Sequence, residues 1–198
     1  MALAKIGAGR INNLDDSTES SPQAIQCRLH FEQTRDALIR SHWWGFASAR
    51  ASLSQDTVDP DFEYDNQFIL PNDFVRLKSV YGDNGTDTGD LRTTFAIEGD
   101  RLLTNESSID IRYIKKVTDP TKFDTLFIEV LVLKLALKII SLAGANPKLM
   151  ETITTELRLT MPQVRAIDRQ ETNNIGRSDR RPWNEARVST GSPFGSRY

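Results

Sequence analysis

Two periods alternate along this chain. Ala24, Cys27, Phe31, Thr34 and Leu38 recur at helical spacing and make one stripe. Ser21 is placed to cap that helix, and Pro22 suits its first turn, where a missing N–H costs nothing. The pattern predicts a helix from 22 to about 41. After Gly45 the period drops to two. Ala47, Ala49, Ala51 and Leu53 alternate with Ser48, Arg50 and Ser52, which predicts a strand. The stretch from Ser54 to Gln67 is acidic and reads as a loop. A turn at Leu70–Asp73 then leads into a strand from Phe74 or Val75 to Tyr81. A hairpin is expected around Gly99–Asp100, glycine standing first as a II′ turn prefers. Ile109, Ile111 and Tyr113 share one face of a last strand.

Helical signals return at Asp119–Pro120, a cap followed by a first-turn proline. The run from Phe123 to Leu142 is apolar nearly all round, so other elements must wrap it. Gly144 is expected to stop it. Asn146–Pro147 opens a partner helix, giving an αα-hairpin. Leu149, Ile153, Leu157, Met161, Val164 and Ile167 form its apolar stripe. Pro162 interrupts that stripe and is expected to kink the helix near Arg158. The fold class is therefore α+β: a helical bundle made of the N-terminal helix and a C-terminal αα-hairpin, with an antiparallel β-rich insertion. The chain divides into 1–43, the N-terminal segment and first bundle helix; 44–117, the β-rich insertion; 118–170, the helical hairpin; and 171–198, an extended C-terminal arm.

Composition changes this picture at one place, the arm. From Glu171 onward the chain is rich in Gly, Ser, Pro and Arg and poor in aliphatic residues, so it cannot build a core of its own. Trp183, Phe194 and Tyr198 are its candidate anchors. Arg177, Arg180, Arg181, Arg187 and Arg197 are its candidates for meeting carboxylates on a neighbour. Elsewhere the 198 residues carry a net charge of −2, which gives no push toward nucleic acid. The single cysteine, Cys27, excludes an intrachain disulfide and reads as a small buried residue. The first residues lack the apolar segment and cleavage site of a signal peptide. Glu129, Lys134 and Lys138 interrupt the most apolar run, which argues against a membrane span.

Signals for catalysis are weak. His30 and His42 are the only histidines and have no cysteine pair to complete a zinc motif. No G-x-S-x-G elbow and no Walker A sequence occur, and "GAGRIN" lacks the third glycine and a preceding strand. His42 is expected to satisfy helix-terminal carbonyls or simply to pack. Asp59, Asp61, Glu63 and Asp65 alternate in the manner of a calcium loop, but the sixth position is Tyr64 and the twelfth Leu70. No catalytic, metal or cofactor-binding residue is nominated, and no cofactor is expected. Trp43 and Trp44 are consecutive on entry to a strand, so they point to opposite sides and cannot form one flat platform. Trp44 and Phe46 are expected in the core.

Four ordered segments carry a resemblance. They are S-H-x-W-x-F-A at Ser41–Ala47, L-P-x-D at Leu70–Asp73, E-G-x-x-L-L-T at Glu98–Thr104, and V-T-D-P-x-x-F-D-x-L-F at Val117–Phe127. Over about residues 1 to 170 the chain resembles the head-to-tail adaptors of tailed bacteriophages, nearest to the tail tubular protein A family of short-tailed phages. The resemblance implies a virion protein made in the host cytoplasm and no enzyme. It implies a ring, usually of twelve copies, docked under the portal protein. Such a ring extends the DNA channel and presents a platform for the tail nozzle. Genomic DNA would pass through without sequence-specific binding, and no membrane is involved. A slightly acidic subunit around the bore would repel phosphates. In this family C-terminal arms often reach the portal or a neighbouring subunit. The bundle core is expected from Phe31, Leu38, Trp44, Phe46, Phe123, Phe127, Leu131, Leu135, Ile153 and Leu157. Two residues depart from the family pattern: Trp43, where a smaller residue or proline is usual, and Pro162. The alternatives are a virion-associated enzyme, which would need His42 or His30 beside a carboxylate such as Asp15 or Asp36, and a generic interaction domain.

Overall fold

The computed structural model describes residues 1–12, 14, 18–82, 94–144 and 146–172. Over these it is an α+β fold of four helices and two antiparallel sheets. A short helix α1 (Ala2–Lys5) precedes α2 (Pro22–Ser41), which begins where expected, with Ser21 Oγ accepting from the Ala24 N–H at 3.3 Å. A 3-10 turn, Gly45–Ala47, leads into β1 (Ser48–Ser52). The acidic stretch after it is not all loop. It contains β2 (Ser54–Gln55) and β3 (Asn66–Ile69), which pair with each other across the acidic segment. Then come β4 (Phe74–Tyr81), β5 (Phe95–Glu98), β6 (Arg101–Thr104) and β7 (Asp110–Lys115).

One sheet has the order β1-β7-β4 and the other β2-β3-β6-β5. The β5–β6 turn has Gly99 at φ +58° while Asp100 is not in the left-handed region, the combination a II′ turn requires. Cross-strand partners share a face. Ile111 and Tyr113 of β7 therefore lie with Ala49 and Ala51 of β1, and Phe68 of β3 lies with Leu102 of β6. These inner faces meet in one cluster with Val80, Leu70 and Ile109, so the two sheets make a small sandwich. Ile114, one residue along β7, faces the other way and is buried against the helices. Sandwich and bundle are thus joined through the two faces of one strand.

The third helix starts later than the sequence pattern predicts. Asp119 caps only a 3-10 turn, Pro120–Lys122. Asp124 caps α3 (Thr125–Lys138), its Oδ1 accepting from the Leu126 N–H at 2.7 Å. Both aspartates satisfy the cap rule, and the second wins because the continuous apolar run begins after it. The helix also ends earlier, at Lys138, where a 3-10 turn (Ile140–Ala143) carries the chain to Gly144 at φ +70°. Asn146 then caps α4 (Pro147–Thr172), Oδ1 accepting from the Lys148 N–H at 3.1 Å. That helix runs on through Pro162. Ile167 does not belong to its buried stripe: it is 42% exposed, beyond the last turn that α3 covers.

Of the residues expected in the bundle core, Leu38, Trp44, Phe127, Leu131, Leu135 and Ile153 are buried. Phe31, Phe46, Phe123 and Leu157 are half-buried and pack at the rims of the two helical clusters. One of these clusters joins α1 to α2, α3 and α4 through Leu3, Ile6, Cys27, Ala136, Ile139 and Ile153. The other joins α2, α3 and α4 to the sandwich through Leu38, Trp44, Ile114, Phe127 and Val164. No described helix is long and apolar enough to cross a membrane.

Candidate interaction surfaces

The two tryptophans behave as opposites. Trp44 is 1% exposed and donates its indole N–H to the Leu38 carbonyl at 2.9 Å. Its ring meets Phe127 edge-on at 5.1 Å and tilts against Phe46 at 6.1 Å. It plugs the place where the first long helix hands its chain to the sheet. Trp43 is half-buried and carries the Arg76 guanidinium 4.0 Å above its ring centre. Arg40 adds a bond from Nη1 to the Val75 carbonyl at 2.6 Å, tying α2 to β4. Both rings serve the joint, one from inside and one from outside.

His42 stands at the C-cap of α2, but its ring does not bond the terminal carbonyls. Trp44 and the Ser41 hydroxyl bond the Leu38 carbonyl instead, while His42 turns to α4 and places Nε2 2.9 Å from Asp168 Oδ2. The other oxygen of Asp168 accepts from the Gly45 N–H at 2.9 Å. Burial pulls the imidazole below its ordinary pKa. Asp168 opposes that shift, and the Arg165 and Arg169 charges add to it. A neutral ring facing a carboxylate must carry its proton on Nε2. This pair brings a histidine to a carboxylate, which an enzyme reading needs, but the carboxylate is Asp168. Asp36 instead binds Arg35 and Lys116, and Asp15 lies outside the described residues.

The acidic segment between β2 and β3 lies over the outer face of its sheet, held by Gln67 Nε2 on the Val58 carbonyl at 2.6 Å and by Asp65 N–H on Asn105 Oδ1 at 3.0 Å. Glu63 adopts φ +72° at its tip. Among the described residues no group of three or more His, Cys, Asp or Glu side chains is placed to hold a metal ion. The tip instead exposes Phe62, flanked by Asp61 and Glu63. Sequence reasoning missed this aromatic, although its place between two acids in a turn-rich stretch was visible.

A second surface is apolar. A groove of about 310 Å³ opens between α1, α2 and α3, with Leu3, Cys27, Phe31, Phe123 and Leu131 among its walls. Burial pushes the Cys27 thiol up, which makes it a packing group. Lys134, half-buried on α3, is pulled down by burial and by the nearby Arg165 and Lys138 charges. The arm candidates Arg177, Arg180, Arg181, Trp183, Arg187, Phe194, Arg197 and Tyr198 lie outside the described residues.

No protein-family model matches this chain, and no curated protein matches it either.

Proposed function

We propose that this chain is a structural head-to-tail adaptor of a tailed phage virion. In this reading about a dozen copies close into a ring under the portal protein. The ring extends the channel through which genomic DNA passes and offers a docking platform to the tail nozzle. The chain works as a scaffold, with no cofactor and no catalytic step. The observation that carries the reading is where the four motif segments fall. Ser41–Ala47 forms the bundle–sandwich joint around Trp44. In Leu70–Asp73, Asp73 accepts from the Tyr113 hydroxyl at 2.9 Å and gives its carbonyl to the Lys116 N–H. Glu98–Thr104 is the β5–β6 hairpin, and Val117–Phe127 holds both aspartate caps. His42 and Asp168, the histidine–carboxylate pair of the described residues, are tied to the helix–sheet joint through the Gly45 N–H, which suits a part that works by shape.

Among the described residues, the His42–Asp168 pair is the feature that favours a virion-associated enzyme. Substituting His42 and His30 by alanine separates the readings: particles that still form and infect normally leave the scaffold reading, whereas intact but inactive particles favour catalysis. The arm is tested directly by deleting residues 171–198. The scaffold reading expects a folded subunit that no longer attaches to its portal, and normal attachment removes the arm from the account.

A further inference from the structure

The two outer faces of the sandwich carry opposite charge. On the face of the β1-β7-β4 sheet that points away from the sandwich core, which the bundle covers at Ile114 and leaves open farther along the strand, Arg50 and Arg112 stand directly opposite each other on neighbouring strands. Like charges in that position repel. Neither guanidinium has an ion-pair partner among the described residues, and Arg112 rests 5.3 Å from the centre of the Tyr81 ring. Between them is an open cleft of about 340 Å³, floored by β1 and β7 and walled by Tyr81, with Ser52 and Asp110 at its far end. Asp110 is the one carboxylate in the cleft, set against two guanidinium groups. On the outer face of the other sheet, on the opposite side of the sandwich, the acidic tip projects Phe62. This side chain is 79% exposed, between the exposed carboxylates of Asp61 and Glu63.

A protruding aromatic ring flanked by two anions matches a cleft flanked by two cations. Because knob and hole lie on opposite faces of the sandwich and cannot meet within one copy, the contact repeats from copy to copy, as a head-to-tail ring requires. Aromatic anchors seated in a pocket carry most of the energy of such contacts, and the flanking charges set partner and register. We propose that the Arg50–Arg112 cleft of one copy receives the Asp61–Phe62–Glu63 tip of the next, and that this contact joins the subunits. The inference rests on the ring reading and gives that ring one of its subunit contacts.

The test uses the full chain. Arg50→Glu with Arg112→Glu gives a copy whose cleft and tip are both acidic. Asp61→Arg with Glu63→Arg gives one in which both are basic. Each alone is expected to lose self-association about 100-fold in sedimentation, and an equal mixture is expected to recover it, because each cleft again meets an opposite tip. Glu63→Cys combined with Ser52→Cys, which keeps the Phe62 anchor, is expected to give an oxidation ladder of dimers, trimers and higher species, absent from either single variant and from the parent, whose Cys27 is buried. Association that neither charge reversal alters, a missing ladder, or a parent that stays monomeric overturns the contact. So does binding of duplex DNA by the Arg50–Arg112 face without self-association. Rings seen by electron microscopy in the parent and unchanged in both reversals sink this contact but keep the ring. A ladder without rings keeps the contact and sinks the ring.

Discussion

Asp168 and His42, 126 residues apart in sequence, form the clamp that closes the bundle over the sandwich. One oxygen of the carboxylate lies 2.9 Å from the imidazole Nε2 and the other 2.9 Å from the Gly45 N–H. Removing this acid leaves the imidazole Nε2, on a histidine only 4% exposed, without its partner, while the exposed Gly45 N–H can turn to water. Asp168→Ala is expected to cost about 2–3 kcal/mol in urea unfolding, and Asp168→Asn less, since the amide oxygen still accepts one bond. Equal stability of both variants and the parent would contradict the clamp.

The same pair sets a pH dependence. The folded imidazole has a lowered pKa, so as pH falls the unfolded chain takes up a proton before the folded one. The stability this contributes is complete above the unfolded value of about 6.5 and is lost as pH drops below it toward the folded pKa. Asp36 acts in a lower window. Burial would raise its carboxyl, but Arg35 and Lys116 outweigh that and hold it below the usual carboxylate value, so its contribution fades only in stronger acid. Urea midpoints are therefore expected to fall between pH 7 and pH 5 in the parent, and to fall less in His42→Gln. A parent profile that stays flat over this window contradicts the buried neutral ring.

The neighbouring tryptophans separate cleanly. Trp44→Ala empties the meeting point of Leu38, Phe127 and Phe46 and is expected to cost about 3–5 kcal/mol. Trp43→Ala loses a half-buried ring and its guanidinium contact, expected to cost about 1 kcal/mol. Thermal or urea unfolding of the two variants checks the order. A reversed order would mean that the wrong ring has been placed inside.

Gly99 isolates backbone strain. A Cβ built there meets nothing within 4 Å, yet φ is +58°. Gly99→Ala is expected to cost about 1–2 kcal/mol from the positive φ alone, since nothing crowds the added methyl. An alanine variant that unfolds at the parent's urea midpoint would contradict a turn that needs a positive φ.

Local signals were legible wherever one period ran unbroken. The α2 stripe of Ala24, Cys27, Thr34 and Leu38, the β1 alternation and the Gly99 turn could all be read from neighbouring residues, whereas the helix expected to run to Gly144 stops at Lys138. The β3 strand could not, because Asn66 and Gln67 continue the polar acidic stretch and only Phe68 faces the core. Asp119 and Asp124 satisfy the same cap rule, and the proline after Asp119 points to the first, although the continuous apolar run starts only after the second. The partner of His42 lay far along the chain, where no periodicity points. The Arg50–Arg112 pairing depends on the β1–β7 register, and the exposure of Phe62 on where its loop folds back. The sequence held the residues of the candidate contact but not the faces they occupy.

The central claim is a closed ring of this chain on a portal. Its most direct test is cryo-electron microscopy of the full chain mixed with the portal protein of its own genome. The account expects a rotationally symmetric ring, about twelve subunits around, seated coaxially on the portal with an open central channel. Single subunits that never close and leave the portal bare would contradict it.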